Sequence, residues 1–201
     1  MSAAAAVPKD GRAARSYRAR LALADALLGL LNEGVEHPTA VQIAERAGVS
    51  LRLVFHHFED LEAIYASAGD LQIDRVGALI KPIDPLLPFE ERLGTFVRNR
   101  ARVLEYVSPV RRACVRMESS SPEISRRMRI GHELARDQTL EAFSHELALV
   151  PADETAEVSA ALAGVTSWEM WEFLRRRAEL PVKQASKVVE RLIRELLGRC
   201  K

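Results

Sequence analysis

The chain is short of the features by which most enzymes, secreted proteins and membrane proteins show themselves. It has two cysteines, Cys114 and Cys200, far apart and in no CxxC or Cys/His spacing. Neither a disulfide framework nor a zinc site is indicated, and a reducing cytoplasm fits. No hydrophobic run approaches the ~20 residues of a membrane span, so no membrane partner is expected. The opening MSAAAAVP has neither the charged start nor the apolar centre of a signal peptide. The expected location is therefore the cytoplasm. Runs of β-branched residues are few, which argues against sheets. With a formal net charge of +1, the chain does not coat nucleic acid or membranes indiscriminately. There is no phosphate loop, nucleophile elbow or glycine fingerprint behind a strand. His132-Glu133 lacks the second histidine of a zinc-protease motif. The adjacent His56 and His57 point about 100° apart on a helix and do not readily chelate one ion. No enzyme, metal or cofactor is expected.

Leucine, alanine, arginine and glutamate dominate the 201 residues, and these favour helices throughout. The length suits one sizeable core or two smaller ones. Residues Met1 to about Gly11 read as a flexible tail. Lys9, Arg12, Arg15, Arg18 and Arg20 concentrate around the start of the first helix, with Asp10 alone interrupting them. That helix spans about Arg15 to Asn32, with Tyr17, Leu21, Ala24, Leu28 and Leu31 on one stripe and Gly34 ending it.

The stretch from Thr39 to Phe58, TAVQIAERAGVSLRLVFHHF, organises the rest. Thr39 and Gln42 have capping-box spacing, so a helix starts there. Val41, Ile43, Ala44 and Ala47 give it an apolar face, and Gly48 stands where a left-handed residue ends it. Ser50 caps a second helix that carries Leu51, Val54, Phe55 and Phe58 inward and leaves Arg52, His56 and His57 to point elsewhere. Two short helices meeting at a glycine-containing corner form the arrangement that reaches base edges in the major groove.

The run IAERAGVS followed by HHF, with Thr39 before it and Glu62 after it, resembles the DNA-binding module of the TetR family of bacterial transcription regulators. The likeness covers roughly the first third of the chain. It implies an all-α protein with an N-terminal helix-turn-helix domain over residues 1–66, its basic arm included. Residues 67–201 would form a larger helical effector-binding and dimerisation domain, giving about nine helices in all. It further implies DNA contacts from Arg15, Arg18, Thr39, Ser50, Leu51, Arg52, Phe55, His56 and His57. Four positions depart from the family pattern: Phe55 replaces a tyrosine, Leu61 a lysine, and Arg52 and Leu53 a glycine and a small hydroxyl residue. The lost hydroxyl and ammonium remove two phosphate contacts, which flattens the salt dependence of binding.

Beyond the corner, Asp60 caps a helix expected to run unbroken from Leu61 to Lys81, about 30 Å. In the family this helix is the lever between ligand site and recognition helix. KPIDPLLP is a loop, followed by helices over Phe89 to Tyr106, Pro109 to Met117, Pro122 to about Leu149, Ala152 to about Arg177 and Val182 to Gly198. The resemblance implies a small-molecule effector, and Phe96, Arg100, Met117, Met128, His132, Phe143, Trp168 and Trp171 are candidates to line its pocket. Aromatic and methionine residues at helical spacing are equally what an ordinary core contains. Ala160, Ala163 and Gly164 on one helix, with Val189, Leu192, Ile193 and Leu196 on the last, form candidate faces for a homodimer. The same stripes also suit closure of the chain's own core. The expected function is a ligand-responsive DNA-binding regulator, a repressor released from a palindromic operator. The competing reading is a helical ligand-binding or protein-interaction module with weak or no DNA binding.

Overall fold

The computed structural model describes residues 11–198, which form ten α-helices, one 3-10 turn and one π-helical segment, with no strand among them. Lys9 and Cys200 lie outside the described residues. The chain divides into two compact units. One takes in the described chain through Ala78 together with Pro109–Met128; the other takes in Leu79–Ser108 and the chain from Arg129 onward. The first unit thus continues past residue 66 and includes a segment that the sequence reading placed in the second.

In the first unit, α1 (Gly11–Asn32) packs against α2 (Ala40–Ala47), α3 (Leu51–His57) and α4 (Leu61–Val76). The four-residue spacing of Leu23, Leu27 and Leu31 puts one face of α1 in the centre, where Leu23 and Leu27 are fully buried with Ile43 of α2, Val54 of α3 and Ile64 of α4. Burying such a side chain contributes roughly 1.5–3 kcal/mol, so this small cluster holds the two short helices in place. Helices α5 (Phe89–Met117) and α6 (Pro122–Ala142) each contribute part of their length here, adding Val110, Ala113, Cys114, Ile124 and Met128 to the same core. Glu62 accepts a hydrogen bond from Ser121, whose Oγ also caps α6 by accepting from Ile124 N at 3.1 Å. Asp70 pairs with Arg127, and Asp25 with Arg75 Nη1 at 2.6 Å.

Helix α4 stops at Val76, five residues short of the expected Lys81. Gly77, a poor helix former with no packing partner for a side chain, begins a 3-10 turn to Leu79 instead. The opposite departure occurs at Pro109, which lies inside one continuous α5 rather than opening a new helix. A proline interior to a helix costs about 3 kcal/mol. Burial of Leu104, Ser108, Val110 and Ala113 around it outweighs that cost.

The second unit is built from the rest of α5 and α6 with α7 (Ser144–Leu147), α8 (Thr155–Val165), α9 (Trp168–Glu172), a π-helical segment Phe173–Arg177 and α10 (Val182–Gly198). The long helices expected over 122–149 and 152–177 are each divided. Thr166 closes α8, and Ser167 caps α9 by accepting from Met170 N at 3.2 Å. Leu93, Phe143, Leu162, Trp171 and Ile193 are the largest fully buried side chains of this core. No described helix is long and apolar enough to cross a membrane.

Candidate nucleic-acid interface and ligand pocket

The corner between α2 and α3 forms as its capping residues dictate. Thr39 Oγ1 accepts from Gln42 N at 3.2 Å while Thr39 N donates to Gln42 Oε1 at 2.9 Å, completing the capping box. Gly48 adopts φ 67°, and its N–H returns to carbonyls of Ala44 and Glu45. Ser50 Oγ accepts from Leu53 N at 3.3 Å. Both hydroxyls are therefore engaged in shaping the corner, though each residue remains exposed. Arg46 of α2 adds a bidentate pair to Glu33, just past the end of α1, at 2.7 and 2.8 Å.

Helix α3 presents two faces. Val54 and Phe58 are buried, at 1% and 2% exposure. Leu51 and Phe55, expected inward as well, are not: they are 39% and 56% exposed. At about 100° per residue, Phe55 lies roughly 60° from Arg52 and His56 roughly 40° from it on the other side. The outward arc is thus Leu51, Arg52, Phe55 and His56, all exposed. Its apolar members are surplus to the core, because the half-buried Leu53 and His57 already flank Val54 and Phe58.

His57 takes a different place from His56. It is half-buried, its Nδ1 lies 3.4 Å from Ser16 Oγ, and its carbonyl accepts from Arg20 Nη1 at 2.9 Å. Burial, then the neighbouring His56 and Arg20, hold its imidazole below the ordinary histidine pKa. The Arg20 guanidinium also lies 4.4 Å from the centre of the Phe58 ring. Arg20 and Ser16 therefore dock α1 onto the end of α3, a role that no spacing in the sequence announces. Arg15 and Arg18 lie exposed on the first turns of α1, which begins at Gly11 rather than near Arg15. Their Nε atoms donate to the carbonyls of Gly11 and Ala14, four residues back.

In the second unit a pocket of about 350 Å³ opens between the Ile80–Pro85 loop, α5 and α6. Three α5 side chains fix the loop. Arg102 Nη1 donates to Leu79 O at 2.8 Å, Asn99 exchanges two hydrogen bonds with the Lys81 backbone, and Arg92 Nε donates to Leu87 O at 3.0 Å. Of the candidate effector-pocket residues, Phe96 and Arg100 line this cavity, together with Asn99, Val103 and Gln138. The other candidates fall elsewhere. Phe143 is fully buried behind the wall, its ring 4.9 Å from that of Phe96. Trp168 and Trp171 are core residues whose indole N–H groups donate to Ser108 Oγ at 3.0 Å and Glu105 Oε1 at 2.8 Å. His132 is exposed and 3.0 Å from Glu169. Met117 and Met128 pack on the core of the first unit, because the ends of α5 and α6 belong to it.

The candidate dimer faces also separate. Val189 and Ile193, with Ala185 and Leu197, point into the core of the second unit. Leu196 is half-buried against it and Leu192 is half-buried on the same helix, while Ala160 and Gly164 are exposed and Ala163 half-buried on α8.

The described residues form an all-helical fold with a capped helix-turn-helix in one unit and a bundle with a pocket in the other. Comparison with solved structures finds the same fold. A transcriptional regulator from Rhodococcus sp. RHA1 superposes with a TM-score of 0.71 over 90% of this chain and 96% of its own, at 18% identity. A protein assigned to the TetR family of transcriptional regulators, from Mesorhizobium loti, gives 0.68 over 92% and 98% at 17% identity. A TetR-like regulator also from Rhodococcus sp. RHA1 gives 0.56 over 94% and 100% at 19% identity. The fold is the one found in these TetR-type regulators. No family model matches the sequence, and no curated protein matches it either.

Proposed function

We propose that the protein is a ligand-responsive, DNA-binding transcription regulator acting as a homodimer, and that it carries out no reaction of its own. The observation that carries the reading is the outward face of α3. A helix seven residues long exposes Leu51 and Phe55 beside Arg52 and His56, at the corner where a helix-turn-helix module meets the major groove. Leu51 and Phe55 suit the thymine methyl group, and Arg52 suits the acceptor edge of guanine. Thr39, Ser50, Arg15 and Arg18 lie on exposed positions from which phosphates are reached, and His57 supports the helix from behind. Two copies related by a two-fold axis would read half-sites ~34–36 Å apart. The exposed small residues of α8, Ala160 and Gly164, with Leu192 and Leu196 of α10, are the surface assigned to pairing.

The regulator acts as a repressor, occupying its operator until a small molecule enters the pocket of the second unit and favours a conformer that binds DNA less well. The test is binding of the purified protein to the DNA upstream of its own gene, against a scrambled duplex of equal length. Specific binding, reduced at least tenfold by Arg52→Ala or Phe55→Ala, is the expected outcome. Sequence-blind binding that neither substitution changes would remove the proposal.

A further inference from the structure

The pocket of the second unit contains a cation without a counter-charge. Arg100 is 6% exposed, and burial lowers its pKa to about 10 without making it neutral. Its Nη2 donates to Ala135 O and to Thr139 Oγ1, each at 2.7 Å, and Thr139 is held in turn by Thr166 Oγ1 at 3.1 Å. These partners fix the guanidinium plane and leave its charge unopposed. The Nε and Nη1 groups bond to nothing among the described residues, and no carboxylate pairs with Arg100. Arg92, the pocket's other buried cation, differs in this respect because it pairs with Glu146. Two exposed side chains of opposite sign, Lys81 and Glu141, complete the charged lining.

Asn99 and Gln138 are the uncharged polar lining, and the rest of the wall is apolar, with Ile80, Pro82, Ile83, Phe96, Val103 and Ala142. The Phe96 ring centre lies 5.1 Å from the Arg100 guanidinium carbon, which orients the cation on one side only. A buried guanidinium whose hydrogen bonds go solely to neutral acceptors keeps a desolvation cost that an anion relieves. The volume is at the lower end of the roughly 300–1,000 Å³ usual for small-ligand sites, which limits the body of the ligand.

We propose that the effector is a small organic acid with one ionised carboxylate, its head held by Nη1 or Nε of Arg100 and its apolar body laid along Phe96, Val103 and the Ile80–Ile83 loop. This rests on the pocket being the effector site of the proposed regulator, and it names the class of molecule that the site takes. One unopposed cation calls for a single anionic head. The contact is through the outer N–H groups one at a time, since Nη2 is already committed.

The test compares octanoate with octanamide, equal in length and differing in the charge of the head, by calorimetric titration of the full chain at pH 7.5 without DNA. Octanoate is expected to bind about tenfold or more tightly than octanamide, the ratio expected for a charged hydrogen-bonded contact. In Arg100→Met, checked for fold by circular dichroism, that ratio falls to about one. Val103→Trp, which leaves Arg100 in place and fills the pocket, abolishes binding of both, and it provides the test if the Arg100 variant does not fold. Equal affinity for the two probes, absence of binding by octanoate, or binding that survives Val103→Trp overturns the proposal. Because no DNA is present, these outcomes are independent of operator binding. A chain that binds octanoate in this way but ignores its upstream DNA would refute the regulator and leave the ligand class standing.

Discussion

Replacing Arg20 with methionine isolates how α3 is held. The substitution removes the 2.9 Å bond from Nη1 to the His57 carbonyl and the guanidinium 4.4 Å above the Phe58 ring. A hydrogen bond at an exposed carbonyl contributes about 0.5–1.5 kcal/mol, and an exposed cation over an aromatic ring about 0.5–1 kcal/mol. The two share one side chain, so the expected loss is about 1–2 kcal/mol, a factor of roughly 5–30 in local opening. The assay is hydrogen exchange of the Phe58 amide, which bonds to Val54 O at 2.9 Å and reports the end of α3 directly. Exchange there is expected to accelerate by that factor, with little change in the second unit. Arg20→Lys keeps the charge but not the planar fork, so it should restore less than half of the protection. If the methionine variant exchanges within twofold of the parent, or lysine restores protection fully, Arg20 does not dock the helix and its charge alone is what counts.

Two further predictions follow from the same unit. Gly48→Ala places a Cβ at φ 67° in open space, so its cost is backbone strain alone, about 1–2 kcal/mol. Gly69→Ala, mid-helix in α4 with nothing near the new methyl group, should stabilise by about 0.4–1 kcal/mol. Parallel urea denaturation followed by far-ultraviolet circular dichroism checks both, and equal effects would refute the assignment of the corner to a left-handed glycine. His57 supplies a pH dependence. Its folded pKa lies below the unfolded value, so the folded state binds fewer protons between the two. The stability it permits is complete above about pH 6.5 and is lost as pH falls through the lower folded value. Melting followed between pH 8 and 5 should show a decline that His57→Gln reduces; an unchanged profile would count against the half-buried placement.

The corner was legible because its signals are local. Thr39 with Gln42, Gly48, Ser50 and Asp60 each fix a helix end through atoms three or four residues away, and all four behave as their spacing implies. What the sequence hid depends on distant partners. Periodicity placed Leu51 and Phe55 inward with Val54 and Phe58, yet only one pair has a core to enter. Pro109 reads as a boundary until both sides of it are found buried. Met117 and Met128 look like pocket candidates from their chemistry, but the parts of α5 and α6 that carry them pack with the first unit. Phe96 and Arg100 stand one turn apart on one helix, but that spacing alone does not tell pocket lining from core. Their neighbours Asn99, Val103 and Gln138 carry no pattern, since a pocket is the space left by three elements rather than a feature of any one.

The physical character of the proposed interface follows from the length of α3. Seven residues form too few hydrogen bonds for an isolated helix to persist in water, so its conformation is imposed by Val54 and Phe58 on the core and by Ser16 and Arg20 of α1. The outward side chains are therefore presented in a fixed arc at little further entropic cost on contact. With Leu61 and Phe55 in place of the lysine and tyrosine that the resemblance implies, the phosphate contacts of the proposed reader reduce to residues such as Arg15, Arg18, Thr39 and Ser50. In the proposed reader, affinity for DNA would come largely from the fit of a rigid, partly apolar face to base edges. Such binding would be weak on a wrong sequence, mildly sensitive to salt and sensitive to the seating of α3, which is what the proposed ligand control requires.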